Sequence, residues 1–154
     1  MNIVAIGAHP DDLEIFTFGF LAAASARGDT LHLGIATDGA AGGENPGPEL
    51  AMQRANETAA GLAPLGIPTF LGLPDGRLAN APEARERITH FIRAAAPDLV
   101  ITHAPEDYHP DHRALSSFVT DAAGFICPVL FCDTLMGVGF TPDYYIDISE
   151  HFTA

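Results

Sequence analysis

Apolar residues occur in this chain as short runs separated by longer amphipathic stretches. Ile3-Val4-Ala5-Ile6 is wholly apolar, and Thr30 to Ala36 alternates with Leu31, Leu33 and Ile35 on one face and His32 on the other. Thr69 to Leu73, Asp98 to His103, Val129 to Leu135 and Tyr144 to Ile148 read as further strands. Between them the spacing predicts helices over Pro10 to Arg27, Pro48 to Gly66, Pro82 to Ala96 and Pro110 to about Ala123. Leu13, Phe16, Phe20 and Ala24 stripe the first, and Ile88, Phe91, Ile92 and Ala95 the third. Each begins at a proline, which suits a first helical position, and Gly28 supplies a stop for the first. Ser149 is placed to cap one more helix. Strand, loop and helix in alternation predict an α/β sheet, whose chemistry sits beyond the carboxyl ends of its strands.

Length and composition narrow the picture. The 154 residues suit one domain, 1–154, and 47% hydrophobic against 18% charged residues call for a packed core. The net charge of −13 rests on twenty acids, seven arginines and no lysine. That balance argues against nucleic acid and anionic membranes as partners. Lacking lysine, the chain has neither a Schiff-base residue nor a P-loop lysine. No basic segment precedes the first strand and no apolar run is long enough to span a bilayer, so a cytoplasmic protein is expected. Cys127 and Cys132 lie five apart in a strand-like run, point to opposite faces and are expected as free thiols in a reducing compartment.

Two segments carry the candidate chemistry. Gly7-Ala8-His9-Pro10-Asp11-Asp12-Leu13-Glu14 follows the first apolar run, and His109-Pro110-Asp111-His112 follows the strand ending at His103. Each offers metal-capable side chains at its first and fourth positions. Proline and acids at a helix start are ordinary, and Asp11 with Glu14 could form a capping box. Capping does not call for His9 before proline or for His112. The pair is therefore read as two halves of one metal site, with His9, Asp12 and His112 as ligands and water in the fourth position. Zinc in such a set lowers the pKa of bound water to about 7 and polarises a carbonyl; iron(II) is the other ion these ligands suit. Asp11 is placed to take the proton. His109, one turn before His112, is placed to stabilise an oxyanion or protonate a leaving amine, with Asp111 orienting it. Glu14 is read as a supporting group or a cap.

Around these segments, Arg54 and Glu57 form either a surface ion pair or, for Arg54, a substrate contact. Asp75 is a turn residue first and a substrate contact second. Glu106, Asp107 and Tyr108 are expected at the mouth of the site, with Asp107 grouped on the substrate side. The glycine-rich loop Thr37 to Gly43 is expected as a flexible lip; it matches no nucleotide-binding pattern.

The paired His-Pro-Asp segments resemble those of the PIG-L or LmbE-like zinc-dependent N-deacetylases. Arg54-x-x-Glu57, Leu71-Gly72-Leu73-Pro74-Asp75-Gly76, Pro97-Asp98 and Tyr144 to Ser149 are similar to family blocks in the same order. The resemblance implies a Rossmann-like three-layer sandwich with a mostly parallel central sheet. It implies hydrolytic removal of acetyl from an N-acetylglucosamine-like sugar or conjugate, a small-molecule substrate, in a chain that often associates with itself. It carries over His9, Asp12 and His112 as zinc ligands, Asp11 as general base, His109 as oxyanion stabiliser and Asp111 as its tuner, with Arg54 and Asp75 facing the sugar. Family members usually continue with a Lys and a His-Ser-Gln segment, so a C-terminal part is expected to be lacking here. Some relatives place a site tyrosine where this chain has Asp107, and that role is not carried over. A metal-dependent phosphoesterase and a metal- or sugar-binding domain without turnover are the alternatives.

Overall fold

β1 (Asn2–Gly7) lies in the middle of the sheet because both of its faces are apolar: Ile3, Val4, Ala5 and Ile6 are fully buried. It pairs in parallel with β2 (Thr30–Thr37) on one side and β4 (Leu99–His103) on the other. β3 (Thr69–Leu73) lies outside β2 and β5 (Val129–Cys132) outside β4, giving five parallel strands in the order β3-β2-β1-β4-β5. The helices are α1 (Asp12–Phe16), α2 (Phe18–Ala26), α3 (Pro48–Leu62), α4 (Ala84–Ala94) and α5 (Pro110–Ala123). This is a computed structural model that describes residues 1–151, the side chain of Met136 apart.

Alternation along β1 sorts the helices into two layers. Val4 and Ile6 pack against Ile88 and Ile92 of α4 and Leu115 and Val119 of α5. On the other face Ala5 meets Leu13, Leu21 and Leu62 from α1, α2 and α3, and Ile3 meets Ala24. Each such aliphatic side chain contributes about 1.5–3 kcal/mol by burial. The result is an α/β three-layer sandwich, its sheet parallel throughout. Strand order reverses between β1 and β4. The loops leaving their carboxyl ends therefore diverge to opposite faces and open a crevice, and both His-Pro-Asp segments begin there.

Three elements differ from the sequence reading. The first helix starts at Asp12 rather than Pro10 and breaks at Thr17, whose hydroxyl donates to the Leu13 carbonyl at 2.9 Å alongside its own backbone N–H at 3.1 Å. Val129 to Leu135 pairs only as far as Cys132 and then turns into a 3-10 segment, Leu135–Gly137. Tyr144 to Ile148 forms no strand: Tyr144 and Tyr145 are exposed, and the apolar signal came from Ile148, which seats on Gly19 of α2 rather than in a ladder. A 3-10 turn covers Ser149–His151, and the rest of the helix expected there lies outside the described residues. No helix among the described residues is long and apolar enough to cross a membrane.

Candidate metal centre

The turn after β1 is built by unusual backbone geometry. Asp11 has φ of 100°, a value that L side chains rarely adopt, and it reverses the chain sharply between the strand and α1. Its backbone N–H donates to Thr58 of α3 at 3.0 Å. Asp12 then folds back so that its Oδ2 accepts the N–H of His9 at 2.7 Å. The second segment is an ordinary helix start: His109 is the N-cap, its Nδ1 accepting the Asp111 N–H at 3.2 Å, and Pro110 follows at the first position.

These two starts bring the expected ligands into mutual contact. His9 Nδ1 lies 3.2 Å from His112 Nε2 and 3.5 Å from Asp12 Oδ2, and His112 Nε2 lies 3.4 Å from Asp12 Oδ1. All three side chains are buried. Donors about 2.0–2.1 Å from a tetrahedral zinc ion stand about 3.4 Å apart, so His9 Nδ1 and Asp12 Oδ1, at 3.2 and 3.4 Å from His112 Nε2, fit that ion together with it. Among the described residues, three groups have metal-holding spacing: His9 with His109 and His112, Asp12 with His103 and His112, and His9 with Asp75 and Asp111.

Behind the donors stands a row of carboxylates. His9 Nε2 faces Asp75 Oδ1 at 3.2 Å and Asp111 Oδ2 at 3.4 Å. His112 Nδ1 lies 3.0 Å from Asp107 Oδ2, but off the line of its N–H, so neither atom makes an aligned hydrogen bond. Each imidazole thus offers one nitrogen inward and turns the other to an acid, the arrangement that fixes ring orientation in histidine metal sites.

Charges follow from this packing. Burial alone would lower the His9 pKa, but the hydrogen bonds to Asp111, Asp12 and Asp75 carry it to about 11 in the metal-free protein. The His9 contact in turn holds Asp75 at about 2, against its partial burial. Asp12 is buried, yet His103, His112 and His9 keep it well below the usual carboxylate range. His112 is raised: burial opposes its charge and Asp12 and Asp107 outweigh that. His109 is lowered by burial and then by its imidazole neighbours His9 and His112. Burial and the neighbouring Asp12 raise Asp11, and Arg54 opposes them.

Several residues stand elsewhere than the sequence suggested. Asp107, expected at the mouth, is buried behind His112, and its Oδ1 accepts the His109 N–H at 2.8 Å. Asp111 meets the His109 ring through its backbone N–H rather than through its side chain. Its carboxylate accepts the N–H groups of Gly76 and Leu78 at 2.7 and 3.1 Å, tying α5 to the loop after β3. Asp75 accepts the Ala41 N–H at 2.9 Å while it faces His9. Arg54 donates to the carbonyls of Gly39 and Pro10 at 3.1 and 2.6 Å and to Asp11 Oδ2 at 3.1 Å. Glu14 lies on α1 with its side chain against Gly61 of α3. His103 was read only as the end of a strand. A histidine closing an otherwise apolar run beside β1 was the signal available for it.

Comparison with known proteins places these features in a lineage. The family described as PIG-L, GlcNAc-PI de-N-acetylase, matches residues 4–123. Diacetylchitobiose deacetylase of Thermococcus kodakarensis is 30% identical over 97% of this chain and 64% of its own. The chain spans between 47% and 64% of the length of the curated relatives it matches. Among solved structures, a conserved protein of Thermus thermophilus superposes with TM-score 0.82 at 29% identity, over 97% of this chain and 73% of that one. The 4-carboxy-2-hydroxymuconate hydratase of Pseudomonas putida gives TM-score 0.84 at 21% identity, over 97% and 74%. That second likeness speaks for the fold alone.

Proposed function

This chain belongs to the PIG-L family, and on that premise we propose that it is a zinc-dependent N-deacetylase acting on an N-acetylated amino sugar or its conjugate. The observation that carries the reading is the convergence of His9 Nδ1 and Asp12 Oδ1 on His112 Nε2 at 3.2 and 3.4 Å, each imidazole backed by a carboxylate. These three residues would hold the ion. Zinc supplies a Lewis acid there, able to acidify water and to polarise the carbonyl of an amide; iron(II) suits the same donors.

The chain's own groups supply the rest. Asp11 stands at the rim with its side chain half exposed, and its carboxylate receives the proton released by the attacking water. Arg54 opposes the upward pull on the Asp11 pKa, which favours the ionised base near neutral pH. His109 Nδ1 accepts the Asp111 amide, so the neutral ring keeps its proton on Nε2. That N–H donates to the oxygen on which negative charge develops. Asp11 returns its proton to the departing nitrogen, and amide plus water become acetate plus amine. Asp75, Asp107 and Asp111 serve as supports of the imidazoles and loops. Substrate contacts fall instead to the rim around Asp11 and to the loop from Asp38 to Gly47, which Arg54 holds through Gly39. The free state of Cys127 and Cys132 accords with a reducing setting such as the cytoplasm.

The test is incubation of the zinc-loaded protein with N,N'-diacetylchitobiose and with N-acetylglucosamine, following free amine and acetate together. Equimolar release, abolished in Asp11→Ala with zinc still bound, is the expected result. No release over long incubation, despite saturable sugar binding, would mean a binding domain without turnover. Hydrolysis of a generic phosphate ester instead would mean a phosphoesterase.

A further inference from the structure

His103 is the last residue of β4 and is 2% exposed, yet no role in the chemistry above falls to it. Its ring stacks on that of His112, centroids 3.7 Å apart and planes 12° from parallel. Its Nε2 lies 3.0 Å from Asp12 Oδ2 and 3.0 Å from the Ala8 backbone nitrogen. Its Nδ1 is buried without a partner among the described residues. One ring thus touches two of the three donors.

We infer that His103 is a positioning residue for the metal centre: it holds Asp12 by Oδ2. The inference rests on the reading of His9, Asp12 and His112 as ligands. Asp12 Oδ2 already accepts the His9 N–H at 2.7 Å, so a second donor from His103 fills that oxygen and leaves Oδ1, the atom facing His112 Nε2, for an ion. Proton placement supports this. With the proton on Nε2, the ring donates to a carboxylate and leaves the Ala8 N–H without that acceptor. With the proton on Nδ1, a buried donor stays unpaired and the Nε2 lone pair faces an anion. The carboxylate therefore selects the Nε2–H form.

The experiment compares His103→Gln with His103→Asn. Glutamine places an amide N–H at about the reach of Nε2, and asparagine at that of Nδ1. Zinc affinity is measured on each purified chain by competition with a chromophoric chelator, and the absorption bands of the cobalt(II)-loaded proteins report ligand geometry. Groups that orient metal ligands are worth about 10- to 100-fold in affinity. The Asn variant is therefore expected to bind zinc 10- to 100-fold more weakly with altered cobalt bands, and the Gln variant within about threefold of wild type. Indistinguishable Gln and Asn variants overturn the assignment while a zinc-binding wild type leaves the site intact. A wild type that takes up no zinc overturns the site and the assignment together. If the Asn variant does not fold, the Gln variant decides alone: near wild-type affinity keeps the assignment and a tenfold loss ends it.

Discussion

Gly7 and Asp12 occupy one space: a Cβ on Gly7 would stand 2.8 Å from the Asp12 Cβ and 3.5 Å from its Oδ2. The glycine ahead of His9 is thus required by packing against the carboxylate five residues on, in a strand conformation that any residue could adopt.

Gly7→Ala is therefore expected to displace Asp12 before it displaces the sheet. Overpacking at a buried contact costs about 1–3 kcal/mol, which lowers the melting temperature by several degrees. Zinc affinity should fall about 10- to 100-fold, since the displaced group is a ligand. Chelator competition and thermal melting on the same preparation measure both. A melting loss with unchanged zinc affinity would show that Asp12 does not depend on this packing.

Asp11 combines a strained backbone with a reactive side chain, and two substitutions separate them. Asp11→Ala keeps the φ of 100° and removes the carboxylate, so amine release should fall about 10²- to 10⁴-fold with zinc content unchanged. Asp11→Gly removes the same carboxylate and relieves the strain, and should be more stable than Asp11→Ala by about 1 kcal/mol. Equal stability of the two, by denaturant unfolding, would mean the turn relaxes in either variant.

The sheet and the metal donors were legible because both follow from local pattern. Ile3 to Ile6 and Leu99 to Thr102 are apolar on both faces, as only central parallel strands are, and the two His-Pro-Asp segments open directly after β1 and β4. The roles of Asp75, Asp107 and Asp111 were not legible. All three were read outward, toward substrate or toward His109, whereas each is set by a contact across the crevice: Asp75 and Asp111 with His9, and Asp107 with His112. Sequence spacing shows that an acid stands at a strand end; it does not show which histidine it meets. Tyr144 to Ile148 failed for the converse reason, since an apolar pattern predicts burial, and only a partner strand makes burial into a ladder.

Arg54 spans the crevice rim, and its role divides by partner. The Asp11 contact is exposed on the acid's side and contributes little, so the stability lies in the bonds to the Gly39 and Pro10 carbonyls. Arg54→Ala should cost about 2–3 kcal/mol in unfolding free energy, and Arg54→Lys should recover less than half, lacking the forked donors. Limited proteolysis of the loop from Asp38 to Gly47 should accelerate in both variants. Unchanged proteolysis would separate Arg54 from that loop.

The pair His9–Asp75 gives the metal-free protein a pH signature of definite sign. His9 is raised from 6.5 to about 11, so its contribution to stability is full below pH 6.5 and is lost as pH climbs toward 11. Asp75 is depressed from 3.8 to about 2, so its contribution is full above pH 3.8 and is lost as pH drops toward 2. The two windows overlap between about pH 4 and 6.5. After chelation, wild type should exceed Asp75→Asn in melting temperature most within that range, with the gap narrowing on both sides. His103 and His109, lowered chiefly by burial, act in the opposite sense below pH 6.5 in both proteins and so leave the difference unchanged. Zinc must displace the His9 proton, so its affinity should rise as pH increases above 6.5, and the bound ion should shrink the Asp75→Asn gap. A gap that widens from pH 6.5 to 9 in the chelated protein would show that His9 is not held protonated by Asp75.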